Sequence, residues 1–405
     1  MKKNYTQSEV LIIGAGFIGQ IMALMLASSK ITVTLVDKNI FERRDKRTTA
    51  ISQGSSRIFK NLGIWKQLKN KTEGINKIFV SDQDSQDYLK FDSSVLNEGK
   101  LGFIIENQYF RKILKKEISQ SKYISTFEKN EITNIYENKK ENASKVFAES
   151  RDKIVVSDLI IAADGRTSAT RKLLNLKYHE TIYEQNAYVF NIFHEEKHNG
   201  VALEKFFPEG PLAILPMKAL SKPFQNRSSV VWTVDQKLGD LTKITKKEFS
   251  AEFSKRYDNF FGKLIKFSKP SVYPLNLIYA YDTITEKVVL VGDAAQGIHP
   301  IAGQGFNLGL RDCELLHNII LDAKLTGQKF NCLNLLKRYQ NIRSIDRSLF
   351  IEATDKLNKI FSNNSNSLKI LRKFGMRFIN KSDFIKKQLM KNAMGLQDLN
   401  IPYLT

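Results

Sequence analysis

Short apolar runs alternate with amphipathic stretches along most of the chain. Val10–Ile13 is an unbroken apolar run and predicts a buried strand. Ile18–Ala27 places Ile21, Leu24, Met25 and Ala27 where a helix can pack them. Ile31–Val36 predicts a second strand, ending at Asp37. Residues 45–52 lead into an amphipathic helix that closes near Leu62–Trp65, with Gly63 as its C-cap. Residues 75–105 alternate like strands, and Asn107–Leu114 reads as helix. A polar meander follows over 131–156, then a buried strand, Leu159–Ala163, that ends in Asp164-Gly165. Residues 186–280 are rich in β-branched and aromatic residues and predict a second sheet. Val288–Val291 predicts another buried strand, and Asn307–Leu316 a helix. Beyond residue 336 the period becomes helical, with amphipathic runs at Phe350–Phe361 and Leu371–Ile385.

The chemistry enters at the glycines. Lys2 and Lys3 ahead of an apolar run to Ala27 superficially resemble a signal peptide, but glycines interrupt that run at Gly14, Gly16 and Gly19. Strand, tight turn, helix, strand and terminal acid form the setting in which a GxGxxG fingerprint binds a dinucleotide. Gly14 allows the turn, Gly16 lets backbone approach a pyrophosphate, and Gly19 lets the helix sit on the sheet. Asp37 suits a ribose hydroxyl and disfavours a 2′-phosphate, which fits FAD or NAD. A second glycine-rich stretch, residues 287–316, places Gly292-Asp293 at a strand end and a loop through Pro300, Gly303 and Gly305 at a helix start. Asp293 can bind a ribityl hydroxyl, and the helix dipole can stabilise negative charge near a reduced flavin's N1.

Charge and cysteines narrow the classes. The chain has 405 residues, with 63 Lys+Arg against 42 Asp+Glu, a net charge of +21. That excess points to an anionic partner or to a proteome-wide lysine bias. No helix-turn-helix, zinc or RNP-type pattern supports nucleic acid. Cys313 and Cys332 exclude a disulfide-built scaffold and fit a reducing compartment. His194-Glu-Glu-Lys-His198 matches the HExxH zinc pattern, but it lies between strand-like runs, before a hairpin signal at Asn199-Gly200. No metal site is expected.

Three motifs in order carry a family resemblance: GAGFIG, IIAADGRTSATR and GDAAQGIHPIAGQGFNLGLRD. With them the chain resembles the single-component FAD-dependent aromatic hydroxylases, the para-hydroxybenzoate hydroxylase class. The stretches TTAISQGSSRIFKNLGIW, EKFFPEGPLAILPM, RSIDRSLFIEATDKLNKIFSNN and KNAMG are similar to the ubiquinone-biosynthesis hydroxylases (the UbiH/UbiF/VisC group). The similarity runs over roughly residues 8–395. It implies an α/β fold: a Rossmann-like FAD-binding domain, an interleaved, mostly antiparallel β-sheet substrate domain, and a C-terminal helical segment. FAD-binding parts fall at 1–75, 106–180 and 281–335. Substrate-domain parts fall at 76–105 and 181–280, and basic helices at 336–405.

By the same resemblance, Gly14, Ala15, Gly16, Phe17, Ile18 and Gly19 hold the FAD pyrophosphate. Asp37 and Lys38 take the adenosine end, and Arg47 approaches the flavin. Asp164, Gly165 and Arg171 match the motif that touches both FAD and a transient NADPH or NADH donor. Gly292 and Asp293 match the ribityl site, and Pro300, Gly303, Gln304, Gly305, Phe306 and Asn307 the loop beside the isoalloxazine. His299 and Pro300 are the catalytic candidates, His299 as a base for the phenol. Gln296 stands where many relatives carry His. The implied reaction passes through a flavin C4a-hydroperoxide formed with O2 and hydroxylates a polyprenyl phenol. A prenyl or polyene reductase, or a flavin-holding non-catalytic subunit of a quinone-biosynthesis complex, shares the glycine motifs. A flavin halogenase would carry WxWxIP, which is absent.

The charge also acquires a place. From Lys337 to Lys391 there are 14 basic and 4 acidic residues. Basic amphipathic helices there predict docking to an anionic membrane, hence a cytoplasmic enzyme peripheral to the inner membrane. Other ubiquinone-biosynthesis proteins complete the expected partners.

Overall fold

A computed structural model describes residues 4–39, 45–83, 85, 87–137, 145–220, 225–299, 303–361 and 365–396. Its centre is a five-stranded parallel sheet, ordered Val288–Leu290, Leu159–Ala162, Val10–Ile13, Val33–Val36, Ile124–Phe127. The first four are buried on both faces, as a parallel sheet covered on both sides requires, while the edge strand Ile124–Phe127 exposes Ser125 and Thr126. One face packs on helices α1 (Phe17–Ser28), α2 (Asn107–Gln120) and, from later in the chain, Gly305–Leu325. The expected polar meander covers the other face: Asn134–Glu137, Val146–Glu149 and Lys153–Ser157 pair antiparallel and bury Val146, Ala148 and Val155 against Leu11 and Ile160.

Among the described residues the second sheet has nine strands. Its main strands are β1 (Lys77–Asp82), β2 (Tyr178–His194), β3 (Val201–Phe207), β4 (Gly210–Pro216), β5 (Arg227–Asp235) and β6 (Ser271–Ala280). In space they run β6-β2-β5-β4-β3-β1, antiparallel except β3 against β1. The back of this sheet packs Tyr188, Phe190, Leu212 and Trp232 on α3 (Lys246–Tyr257). That helix lies inside the region read as strands. Its start is a capping box, Thr245 with Glu248, which fixes two otherwise orphan N–H groups.

After a long helix α4 (Gly305–Leu325) come α5 (Leu333–Phe361), α6 (Asn366–Lys381) and α7 (Asp383–Met394). Two expectations are corrected here. Thr48–Ser52 is a strand, paired with Gly102–Glu106, followed by two short helices separated at Gly63, whose φ is +74°. Leu371–Ile385 is not one run, because Ser382 breaks it and accepts a bond from the Ile385 N–H to start α7.

Candidate functional site

The first fingerprint and the Asp164 turn meet at the carboxyl ends of adjacent parallel strands. Gly14 has φ +105°, and a Cβ there would lie 2.4 Å from the Ala163 carbonyl oxygen. A Cβ on Gly19 would fall 1.9 Å from the Gly14 oxygen. Gly16 differs: it is exposed, and a Cβ there would meet nothing within 4 Å. The open space lies in front of the α1 N-terminus, which has no side-chain cap and no acid in its first turn. Its N–H groups are free to take an anionic ligand.

The second fingerprint brings a similar end beside it. The α4 N-terminus also lacks a side-chain cap and a first-turn acid. Phe17 opens α1 and Phe306 lies in the first turn of α4; their rings are 6.2 Å apart, edge to face. Ile18 wedges between Gly292 and Gly309, where a Cβ would come within 3.2 and 2.7 Å of its side chain. Two positive helix ends thus adjoin along one side of the parallel sheet. Arg111, on α2, holds its guanidinium 4.9 Å over the Phe17 ring and adds a cation there.

Acidic and polar groups surround these ends. Asp37 is buried at 9% exposure. One of its oxygens accepts from the Ala15 N–H at 2.8 Å and the other from the Asn39 N–H. Lys38 beside it is exposed and pairs with Glu131. Asp164 accepts from the Thr170 N–H, and its other oxygen is buried with no partner among the described residues. Gly165, in the same turn, has φ +82° and open space around it. Asp293 is half-exposed, 3.6 Å from Arg166. Arg166 also donates to the Asn276 and Ile298 carbonyls, tying the Asp164 turn to β6 and to the second loop.

Several expected ligand residues turn out to position others. Arg171 is 1% exposed and donates to the carbonyls of Ala294 and Arg166. Its guanidinium therefore joins the two fingerprint loops from behind and does not face the cleft. Asn307 accepts from the Ser52 N–H and donates to the Ala50 carbonyl, which seats α4 on Thr48–Ser52. Gln304 donates to the Ala393 carbonyl of α7, and Gly303, at φ +60°, comes against Ala50. Arg47 forms a two-bond pair with Asp45, at 2.9 and 2.8 Å, and stacks 5.0 Å over Tyr273. Burial pushes the Asp45 carboxyl up, but bonds from Arg47 and Asn107 outweigh it and hold it at about 2. Gln296 donates to Asp312 and leaves its own carbonyl buried without a partner among the described residues.

Pro300 lies outside the described residues. His299 is fully buried, its ring edge-on to Tyr183 at 5.2 Å and its Nε2 3.4 Å from the Gln185 side-chain oxygen. Its Nδ1 has no partner among the described residues. Burial and the Arg166 charge push its pKa down to about 4, so the ring is neutral near pH 7. Such a ring can accept a hydrogen bond but stores a proton poorly. His194 and His198 stand at the end of β2 and in the turn after it. His194 Nδ1–H donates to the Glu196 carbonyl, and the His198 Nε2–H to that of Met217. Sequence reasoning did not single out Arg111 as a ligand group. Its signal was an Arg on the α2 face toward the fingerprint, visible only once the fold is known.

The groups present fit a bound dinucleotide: two uncapped helix ends, an open Gly16, and an orphaned Asp164 oxygen. The family described as FAD binding domain matches residues 7–347. "Ubiquinone hydroxylase UbiL" of Rhodospirillum rubrum is 30% identical, over 96% of this chain and 90% of that one. The "3-demethoxyubiquinol 3-hydroxylase" of Escherichia coli is 26% identical, over 96% and 99%. Among solved structures, p-nitrophenol 4-monooxygenase PnpA from Pseudomonas putida shares the fold with a TM-score of 0.79, covering 96% of this chain and 98% of that one at 15% identity.

Proposed function

Because the chain belongs to the FAD binding domain family, we propose that it is an FAD-dependent monooxygenase that hydroxylates the ring of a polyprenyl phenol in ubiquinone biosynthesis. The observation that carries this reading is the pair of adjoining, uncapped helix N-termini joined by Ile18. When bound, FAD reduced by NADPH or NADH activates O2 and supplies one oxygen atom to the ring.

The chain's own residues bind, orient and shield. The α1 N-terminus and Arg111 hold the pyrophosphate, and Asp37 the adenosine ribose. Asp293 would hold the ribityl chain, and the uncapped α4 N-terminus would stabilise the negative charge that reduction adds to a bound flavin. Buried Arg171 and partly buried Arg166 hold the two loops in register, so these groups are preorganised. The sequence carries no second strand–GxGxxG–helix unit, which fits a nicotinamide donor that binds transiently on the same domain.

A membrane-resident substrate agrees with the C-terminal helices. Ile370, Leu371, Phe374 and Phe378 on α6 are 58–68% exposed, and Phe384 on α7 is 80% exposed. Lys373, Arg377, Lys381 and Lys387 lie among them in sequence. An amphipathic face of this kind lies on an anionic leaflet. No helix among the described residues is long and apolar enough to cross a membrane.

The purified protein, reconstituted with FAD, is expected to show the two visible bands of a bound flavin. Deleting the gene is expected to accumulate a quinone precursor one hydroxyl short, read by mass spectrometry. Absence of flavin bands, or a normal quinone pool, rejects the proposal. A product gaining two hydrogens instead of one oxygen would favour the reductase.

A further inference from the structure

Strand β3 carries a carboxyl that the functional reading has not used. Along it, Leu203 and Phe207 point into the core behind the sheet, and Lys205 donates to the Arg256 carbonyl of α3. By strand alternation, Ala202, Glu204 and Phe206 face the front. Ala202 packs there with Met390 and Met394 of α7, and Phe206 stacks on Phe361 of α5 at 4.1 Å. Helices therefore close over the front on both sides of Glu204.

Glu204 sits in a cross-strand row. It pairs with Val80 on one side and Ala213 on the other; Ala213 pairs with Val231, and Val231 with Val189. All five are only partly buried, although they lie at the middle of the sheet. On the same face Ala202, Phe206, Thr233, Ala187 and Ser229 are buried, whereas Ile78, Leu215 and Asn191 are partly buried. The covering helices thus leave the row incompletely filled, and it floors a recess beneath them, open along the Ile78–Leu215 side. The flavin-side elements reach the same face: Thr48 donates to Ser229 at 2.9 Å, and His299 meets Gln185. The floor is apolar except for Glu204.

That carboxyl has no hydrogen bond or ion pair among the described residues. Among the described residues the charged groups reaching this face are engaged: Asp82 with Arg372 at 2.9 Å, Glu106 with Arg227 at 2.6 Å, Asp45 with Arg47, and Asp355, beside Tyr183, with Lys359 at 2.7 Å. Tyr183 and His299, across the cavity, are neutral near pH 7, with the Tyr183 hydroxyl pushed up to about 12 by burial. Burial pushes the Glu204 carboxyl up to about 8. An uncompensated carboxyl costs stability and is kept where a ligand satisfies it.

Resting on the proposed hydroxylase activity, we propose that Glu204 is a catalytic residue that accepts a hydrogen bond from the substrate's ring hydroxyl and then takes its proton. The phenol O–H bond breaks, its electron pair stays on oxygen, and the proton ends on a Glu204 carboxyl oxygen. The resulting phenolate pushes electron density onto the ring carbon that receives oxygen. Glu204 thereby selects a phenol over its methyl ether and activates it.

The test uses holoenzyme, 2-geranylphenol and the O-methyl ether of the same compound. In the wild type, kcat/KM rises with pH up to about 8, and the phenol binds about tenfold tighter than the ether. Glu204→Gln still accepts the hydrogen bond, so Kd for the phenol changes little. Its kcat falls about 10²-fold and the rising limb disappears. Glu204→Leu abolishes the preference over the ether. Both variants are expected to keep the flavin spectrum and to melt no lower than wild type, since a carboxyl without a partner is removed. A Glu204→Gln enzyme with wild-type kcat and pH profile overturns the proposal while leaving the hydroxylase reading intact. A wild type that binds no flavin or oxidises no phenol overturns that reading itself.

Discussion

Three glycines of the first fingerprint answer to three different neighbours. Gly14 is held by its φ and by the Ala163 carbonyl, and Gly19 by the Gly14 carbonyl, so a side chain at either breaks the strand–turn–helix unit. Gly16 has only empty space before it. Gly16→Val is therefore expected to leave the melting temperature of the FAD-free protein within about 2 °C, since surface changes cost at most about 0.5 kcal/mol. It is expected to weaken FAD at least about tenfold, read by flavin fluorescence titration. Equal affinity in the two proteins would show that the pyrophosphate does not lie there. Glycines, terminal acids and the Asp-Gly turn were legible because few residue types suit those positions. Arg171 and Asn307 were legible as important but not in role, since a buried donor and a ligand donor look alike in sequence. Glu204 was hidden by its context: in Leu203-Glu-Lys-Phe206 a lone acid beside a lysine reads as a surface strand. Only the register of β3 separates the two faces.

At the scale of elements, α5 is bound to the Gly292 turn by buried charge. Asp312 on α4 accepts from the Gly292 N–H at 2.8 Å and from Arg343 Nε at 2.6 Å. Arg343, 1% exposed, also pairs with Asp346, which Arg311 reaches at 3.2 Å. Removing one partner strands a buried charge, which costs about 3–5 kcal/mol. Arg343→Met is thus expected to lower stability by about that amount in urea, and to release FAD at lower denaturant than wild type. Coincident release and unfolding at wild-type denaturant concentrations would refute the coupling. This network was invisible in the sequence, because its charges come from a helix pair whose packing no local pattern specifies. The parallel sheet was legible, since apolar runs bounded by glycines leave few alternatives. Helix α3 carried a readable signal, Thr245 to Glu248, but β-rich flanks obscured it.

For the whole molecule, the structure redistributes the positive charge. Arg343, Arg347 and Arg372 are 1–6% exposed, so part of the basic C-terminal segment is internal and does not meet lipid. The exposed aromatic and aliphatic side chains then matter more. Burying one large apolar side chain gives about 1.5–3 kcal/mol, against about 1 kcal/mol for a lysine near an anionic surface. Phe374→Ser with Phe378→Ser is expected to weaken binding to anionic vesicles about 10²-fold or more in a sedimentation assay, with flavin content unchanged. Raising salt is expected to weaken wild-type binding by a smaller factor. Undiminished binding of the double variant would exclude α6 as the docking face. Deleting the segment is a poorer test, because Met390 and Met394 are buried against Ile75, Ile104 and Ala202.

The end of α7 closes against the front of the chain: the Gly54 N–H donates to the Met394 carbonyl at 2.8 Å, and a Cβ on Gly54 would lie 2.2 Å from the Gly395 oxygen. Bringing such distant residues together carries a loop-closure entropy that local contacts do not. In folding order this seal therefore belongs late, after the sheets and both fingerprints have formed. Late contacts made by few atoms are also the first to open in the native state. The roof over the sheet is thus its least stable wall, and in the proposed hydroxylase its fluctuations would give a long hydrophobic tail an entry that leaves the two helix N-termini in place.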